Sequence, residues 1–301
     1  MAQTRFAPDR GLTRRMVATM FLLGLLYVVF VAVLIASGVR AVMVLLIAGG
    51  FLLAQYFMAD RLALFAMHGR VVTPQEAPEL HGMVDRLCAL ADMPKPRVAI
   101  ADSDVPNAFA TGRNRKNSVV CVTTGLLRRL DAAELEGVLA HEMSHVAHRD
   151  VAVMTVASFL GVVAGLMTRV ALYGGLGGRG RDDRGGLPIG VIILLVSALV
   201  YAVGFLLTRA LSRYRELAAD RAGALLTQRP SVLAGALVKI SGEMARIPTR
   251  DLREAEPFNA FFLVPALSGK AGLSALFATH PPLERRLEQL GRISAQLGRG
   301  G

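Results

Sequence analysis

A chain of 301 residues that is 53% hydrophobic, carries a formal charge of +11 and has no tryptophan is too apolar for an ordinary soluble domain and too basic for a simple packed core. Its mean hydropathy of +0.47 places it first among membrane proteins. Lys and Arg lie mostly at the ends of apolar segments and along late helices without interleaved aromatics, which argues against a nucleic-acid partner and for positive-inside anchoring in a lipid bilayer.

In chain order, residues 16–37 and 41–59 are uncharged, and each is close to the roughly 20 residues that a spanning helix needs. They are predicted as two transmembrane helices joined by a tight turn at Gly38 to Arg40. The first is too long for a signal-peptide core, lacks an A-x-A cleavage site and runs straight into a second span, so it is expected to be retained. A soluble block follows from 60 to 150. It opens with a helix bearing Leu80, Met83, Val84, Leu87 and Leu90 at helical spacing, then the strands RVAIA and SVVCVT with NAFATG between them and GRNRKN as a hairpin turn.

Asp131 with Glu134 three residues on has the pattern of a capping box, opening a helix whose buried stripe is Leu135, Val138, Leu139 and Val146. Residues 151–168 and 187–208 are again uncharged and are predicted as spans three and four. Between them, Gly175, Gly177 and Gly180 form a G-x-G-x-x-G, but a loop between spans is the wrong context for a dinucleotide site. Gly161 and Gly165 in span three have the small-xxx-small spacing of packed membrane helices.

The expected organisation is therefore an N-terminal hairpin (1–59), a first soluble part (60–150), a second hairpin (151–208) and a second soluble part (209–301). Neither soluble part is large, and the two are expected to pack into one domain against the membrane rather than stand as separate modules. Cys88 and Cys121, separated by a helix and a strand, support neither a disulfide framework nor a cysteine metal knot. They suit a reduced, cytoplasm-facing domain.

The chemistry lies in HEMSH at 141–145. On a helix, i and i+4 share a face, so His141 and His145 direct two imidazoles at one ion and Glu142 stands beside it as a base for its water. A catalytic zinc needs a third protein ligand. His148, seven residues from His141, lies ~10 Å along the axis, beyond the reach of two ~2 Å bonds, and is assigned to the helix end. In RELAADRAGA, Glu216 and Asp220 are i and i+4, so one carboxylate can bind zinc while the other accepts a ring N–H of a zinc histidine. On spacing alone, an ordinary charged helix with Arg213 and Arg221 fits equally.

With these elements in place the chain resembles the HtpX family of membrane zinc metalloproteases, more distantly related to the CAAX prenyl endoproteases. The likeness covers the N-terminal span pair, NAFATG at 107–112, HEMSH at 141–145, two later spans, RELAADRAGA at 215–224 and THPPLERRL at 279–287. The resemblance implies a mainly α membrane protein with a small β-sheet, four transmembrane helices and a gluzincin-type domain holding one Zn2+ per chain. It implies Glu216 as third ligand, Asp220 supporting a ligand, and NAFATG as an edge strand for the substrate backbone with Asn107 near the zinc. His280 then either stabilises an oxyanion or, with Arg286, holds the C-terminal helix. One departure is HVAHRD, which has His148 and Arg149 where the family more usually has asparagine and glycine.

Both metal-bearing segments must lie on one side of the membrane, so 151–208 crosses it twice or not at all. Arg5, Arg10, Arg14 and Arg15 before span one place the N-terminus and the zinc site in the cytoplasm. Arg179, Arg181 and Arg184 in the loop run against simple positive-inside counting, and a shallow hairpin is the alternative. The resemblance implies a protein of the bacterial inner membrane that cleaves unfolded or damaged membrane proteins under stress. A non-proteolytic zinc-bearing scaffold and a specialised prenyl-peptide protease are the competing readings, and no residue indicates an oligomeric state.

Overall fold

The computed structural model describes residues 9–36, 41–150, 153, 189–246 and 280–298. The predicted third span, apart from Val153, and the glycine loop with Gly175, Gly177 and Gly180 lie outside them, as do Gly161 and Gly165. Chain contacts define two compact units, one of Met1–Leu12, Met58–Ala152 and Ser212–Gly301, the other of Thr13–Phe57 and Val153–Leu211.

The described residues of the second unit are helical. They take in most of α1 (Arg10–Ala36), much of α2 (Ala41–Ala66) and the first part of α6 (Ile189–Thr227). Large apolar side chains point outward: Phe21 is 69% exposed and Leu199 62%, with Val17, Leu25, Val28 and Leu195 similar. Helices that leave such residues outside are suited to lipid rather than water. Among the described residues, Arg10–Val33 and Leu194–Thr227 are long and apolar enough to cross a membrane.

The first unit carries a four-stranded sheet of order β1-β2-β4-β3, made of β1 (Gly69–Val71), β2 (Arg97–Ala101), β3 (Ala108–Asn114) and β4 (Asn117–Thr123). β2 and β4 are parallel; the β1–β2 and β3–β4 pairs are antiparallel. The hairpin between β3 and β4 turns at Arg115 and Lys116, where Asn114 Oδ1 accepts the Asn117 N–H at 2.8 Å. Gly112 has φ 129°, and a Cβ there would lie 2.2 Å from the Asn117 carbonyl oxygen, so only glycine fits this irregular step.

α3 (Pro78–Ala91) buries Leu80, Val84 and Leu87 as its pattern predicts, but Leu90 is exposed and Cys88 and Ala91 face inward in its place. The short α4 (Thr124–Arg129), capped by Thr123, leads to α5 (Ala132–Ala147). α5 starts at a complete capping box: Asp131 Oδ1 accepts the Ala133 and Glu134 N–H groups, and Glu134 accepts the Asp131 N–H at 3.0 Å. Gly137 to Ala147 are buried without a break. α5 is thus a central helix, enclosed by β3, β4, α3 and α7 (Pro230–Met244), and α8 (Leu283–Gly298) packs on α7.

Candidate active site

α5 supplies His141, Glu142 and His145, and a helix buried on all sides gives their side chains little freedom to stray. The two imidazoles stand nearly perpendicular with centroids 5.0 Å apart. α6 supplies Glu216 and Asp220 one turn apart. It reaches α5 closely because residue 223 is glycine: a Cβ there would lie 2.9 Å from the His141 backbone nitrogen and 3.1 Å from its Cα.

Glu216 Oε2 lies 3.5 Å from His141 Nε2, and Glu216 Oε1 lies 3.6 Å from His145 Nε2. Among the described residues, His141, His145 and Glu216 form the group whose donor atoms all fall within 4.8 Å of one another. Bonds of ~2.0–2.1 Å at tetrahedral angles set ligand atoms roughly 3.3 Å apart, so the observed spacing fits a four-coordinate ion. His141 Nε2 is fully buried and faces the Glu216 carboxylate, another member of the cluster, as suits an atom that binds a metal.

Each imidazole is held from behind. His141 Nδ1 is 2.9 Å from Asp220 Oδ1, and Arg286 on α8 donates to both Asp220 oxygens at 2.7 Å. His145 Nδ1 is 2.8 Å from Asp150 Oδ2, and Arg215 Nε lies 3.3 Å from that same oxygen. A ring that donates Nδ1–H to a carboxylate turns the Nε2 lone pair toward the metal. Asp150 and Arg215 are absent from the sequence-based candidates; the available signal was a carboxylate five residues after the second histidine, which a straight helix would carry away from it.

Glu142 is 4% exposed. Burial lifts its carboxyl above the ordinary range and the Glu216 charge adds to the rise, against the pull of His141, His145 and a hydrogen bond from the Ala110 backbone N–H. Burial disfavours a charged His141, yet hydrogen bonds to Asp220 and Glu216 prevail and push it up to about 9 in the metal-free protein.

Ala110 belongs to edge strand β3. Thr123 N–H donates to the Asn107 carbonyl, so the antiparallel alternation turns the peptide groups of Ala108 and Ala110 away from β4 and outward. Asn107 is wholly buried just before β3, its N–H donating to Thr123 Oγ1 at 2.9 Å. His280 is buried at the site, with Nδ1 3.3 Å from Glu216 Oε2. His148 caps the C-terminus of α5, its Nδ1 bonded to the Ser144 carbonyl oxygen at 2.8 Å, and stands outside the three-residue cluster.

Two buried histidines, a carboxylate from a second helix and an adjacent buried glutamate, on a chain with membrane-type helices, define a membrane metallopeptidase. Residues 74–294 match the model of peptidase family M48, and the chain belongs to that family. It is 64% identical over 296 residues to "Protease HtpX homolog 1" of Streptomyces coelicolor, covering 98% of this chain and 97% of the relative. It is 54% identical to the "Protease HtpX homolog" of Moorella thermoacetica, covering 96% of each. The crystal structure of S. mikatae Ste24p superposes with a TM-score of 0.54 at 18% identity, covering 94% of this chain and 67% of that one, a likeness of fold. The protein is a metalloprotease, a hydrolase of peptide bonds associated with a membrane.

Proposed function

We propose that the protein binds one Zn2+ through His141 Nε2, His145 Nε2 and the Glu216 carboxylate and uses it to cleave unfolded or damaged membrane proteins. The observation that carries this reading is the convergence of these three donors from α5 and α6 with buried Glu142 beside them. When bound, zinc supplies Lewis-acid polarisation of the scissile carbonyl and lowers the pKa of a water.

Glu142 takes the proton of the attacking water and returns it to the leaving amine. Its raised pKa makes it a stronger base than an exposed carboxylate, better able to take and hold the proton that then passes to the far more basic leaving amine. The outward peptide groups of Ala108 and the outward carbonyl of Ala110 pair with the substrate backbone, which selects extended, unfolded chain rather than particular side chains. Asn107, at the head of that strand, and His280, beside Glu216, orient the substrate and the developing oxyanion. Asp220 fixes His141 in the tautomer that coordinates.

The parts 60–150 and 209–301 form the catalytic domain, and 1–59 and 151–208 form two membrane hairpins of four spans in all. The protein is a multi-pass protein of the bacterial inner membrane with the site in the cytoplasm, a placement supported by the arginines before span one. A three-ligand site with a positioned glutamate suits catalysis better than a structural metal, which is normally closed by four protein ligands.

The test is cleavage by detergent-purified, zinc-loaded protein of a destabilised membrane protein without lipid modification, compared with a prenylated peptide. Cleavage of the first, abolished by a chelator and restored by zinc, is the expected result. Cleavage of the prenylated peptide alone would replace this reading with the specialised protease.

A further inference from the structure

We infer that Asp150 is a positioning residue that sets the tautomer of His145, with Arg215 as the cation that makes its choice matter. This rests on the proposed metal site.

α5 ends at Ala147 and is capped by His148. Carried on along the helix, a residue five positions past His145 would point about 140° away from it. Arg149 instead adopts φ 60°, in the left-handed region, and folds the chain back so that Asp150 lies against the His145 ring. Asp150 is 1% exposed, and its Oδ1 has no hydrogen-bond partner among the described residues. Its Oδ2 alone makes the contacts, to His145 Nδ1 at 2.8 Å and to Arg215 Nε at 3.3 Å. The polar contacts of this buried carboxylate thus go to one ring nitrogen and to the cation behind it.

Arg215 also faces that ring nitrogen, with Nη2 3.5 Å from His145 Nδ1. A guanidinium only donates, so by itself it favours the tautomer with a bare Nδ1 and a proton on Nε2. That proton would sit on the atom that must coordinate the metal. Asp150 only accepts when ionised, and at 2.8 Å it overrides Arg215, holding the proton on Nδ1 and leaving Nε2 bare. The pair mirrors Asp220 with Arg286 behind His141, but with an added consequence. Because Arg215 touches the ring as well as the carboxylate, removing Asp150 turns a partner into an opponent.

The test is zinc affinity, by chelator competition, of the detergent-purified full chain as wild type, Asp150→Ala, Arg215→Met, the double variant and His145→Ala, with the absorption of Co2+ at the site as a spectroscopic check. Asp150→Ala is expected to weaken zinc on the order of 10–100-fold and to shift the cobalt spectrum. Adding Arg215→Met is expected to recover part of that loss, a rescue that a merely structural role for Asp150 would not give. Wild-type affinity and spectrum in folded Asp150→Ala, or a double variant at least as weak as the single, would overturn the inference. Should Asp150→Ala fail to fold, Asp150→Asn keeps the shape without the charge: lower affinity that Arg215→Met relieves supports the inference, and unchanged affinity overturns it. If His145→Ala keeps wild-type affinity, the metal site itself is wrong; if it loses zinc while Asp150→Ala does not, the positioning role alone is wrong.

Discussion

Arg286 grips Asp220 with two parallel bonds, Nε to Oδ2 and Nη2 to Oδ1, each 2.7 Å, and neither side chain is more than 2% exposed. Asp220 also meets His141 Nδ1 at 2.9 Å, so the C-terminal helix is tied through one carboxylate to the helix that carries both metal histidines. Removing one partner of a buried ion pair leaves a bare charge and costs about 3–5 kcal/mol. Arg286→Ala is therefore expected to lower the thermal midpoint sharply and to release metal. Arg286→Lys is expected to restore little of either, because an ammonium cannot make the bidentate contact. Full recovery by lysine, read by thermal unfolding and metal content, would contradict this.

Gly223 sets how closely α6 approaches α5. A methyl group there would meet backbone atoms of His141 at 2.9 and 3.1 Å, and backbone cannot step aside as a side chain can. Gly223→Ala must push the helices apart and carry Glu216 from the two histidines. Overpacking of this kind costs ~1–3 kcal/mol, so metal affinity should fall about tenfold or more while far-ultraviolet circular dichroism is kept. Wild-type affinity in a chelator competition would show that the approach is looser than the geometry requires.

Arg149 occupies a left-handed conformation at φ 60°. For a residue with a Cβ this costs ~1–2 kcal/mol, part of which glycine gives back through its freer unfolded chain. Arg149→Gly is expected to stabilise the protein by about 0.5–1 kcal/mol, seen as a higher urea midpoint at unchanged slope. A lower midpoint would mean that the arginine side chain contributes more than its backbone costs.

The raised pKa of His141 has a definite sign. Its value of about 9 in the metal-free protein lies above the ordinary 6.5. Its contribution to the stability of metal-free protein is therefore complete below about 6.5 and is lost as pH rises through 9. Zinc needs the neutral ring and must expel that proton. Between pH 6.5 and 8.5 zinc affinity should rise by about tenfold or more per pH unit, whereas His141→Ala should bind far more weakly with a shallower slope. A flat profile for the wild type would place the proton elsewhere.

Much of the site is legible because it is local. HEMSH on a capped helix brings His141, Glu142 and His145 together by helical geometry alone, and Asp131 with Glu134 marks where that helix starts. Glu216 and Asp220 need more: their spacing puts both on one face, but only the approach at Gly223, a contact across about 80 residues, shows which helix they face. Asp150 escapes because the left-handed Arg149 breaks the helical projection from His145, and Arg215 escapes with it because its partner is Asp150. β1 escapes because a three-residue strand has no periodicity and exists only through its pairing with β2. Leu90 fits the apolar pattern yet is exposed near the end of α3, where Cys88 and Ala91 take the inward positions.

The most direct test of the central claim is Glu142→Gln. Wild type and variant, purified in detergent with zinc content determined in the same preparations, are each given an unfolded model protein. Glutamine keeps the shape but cannot take a proton, so the expected result is equal zinc in both and a rate of cleavage lower by 100-fold or more in the variant. Equal zinc with equal cleavage would contradict Glu142 as the base, and with it the account of this site as the catalytic centre.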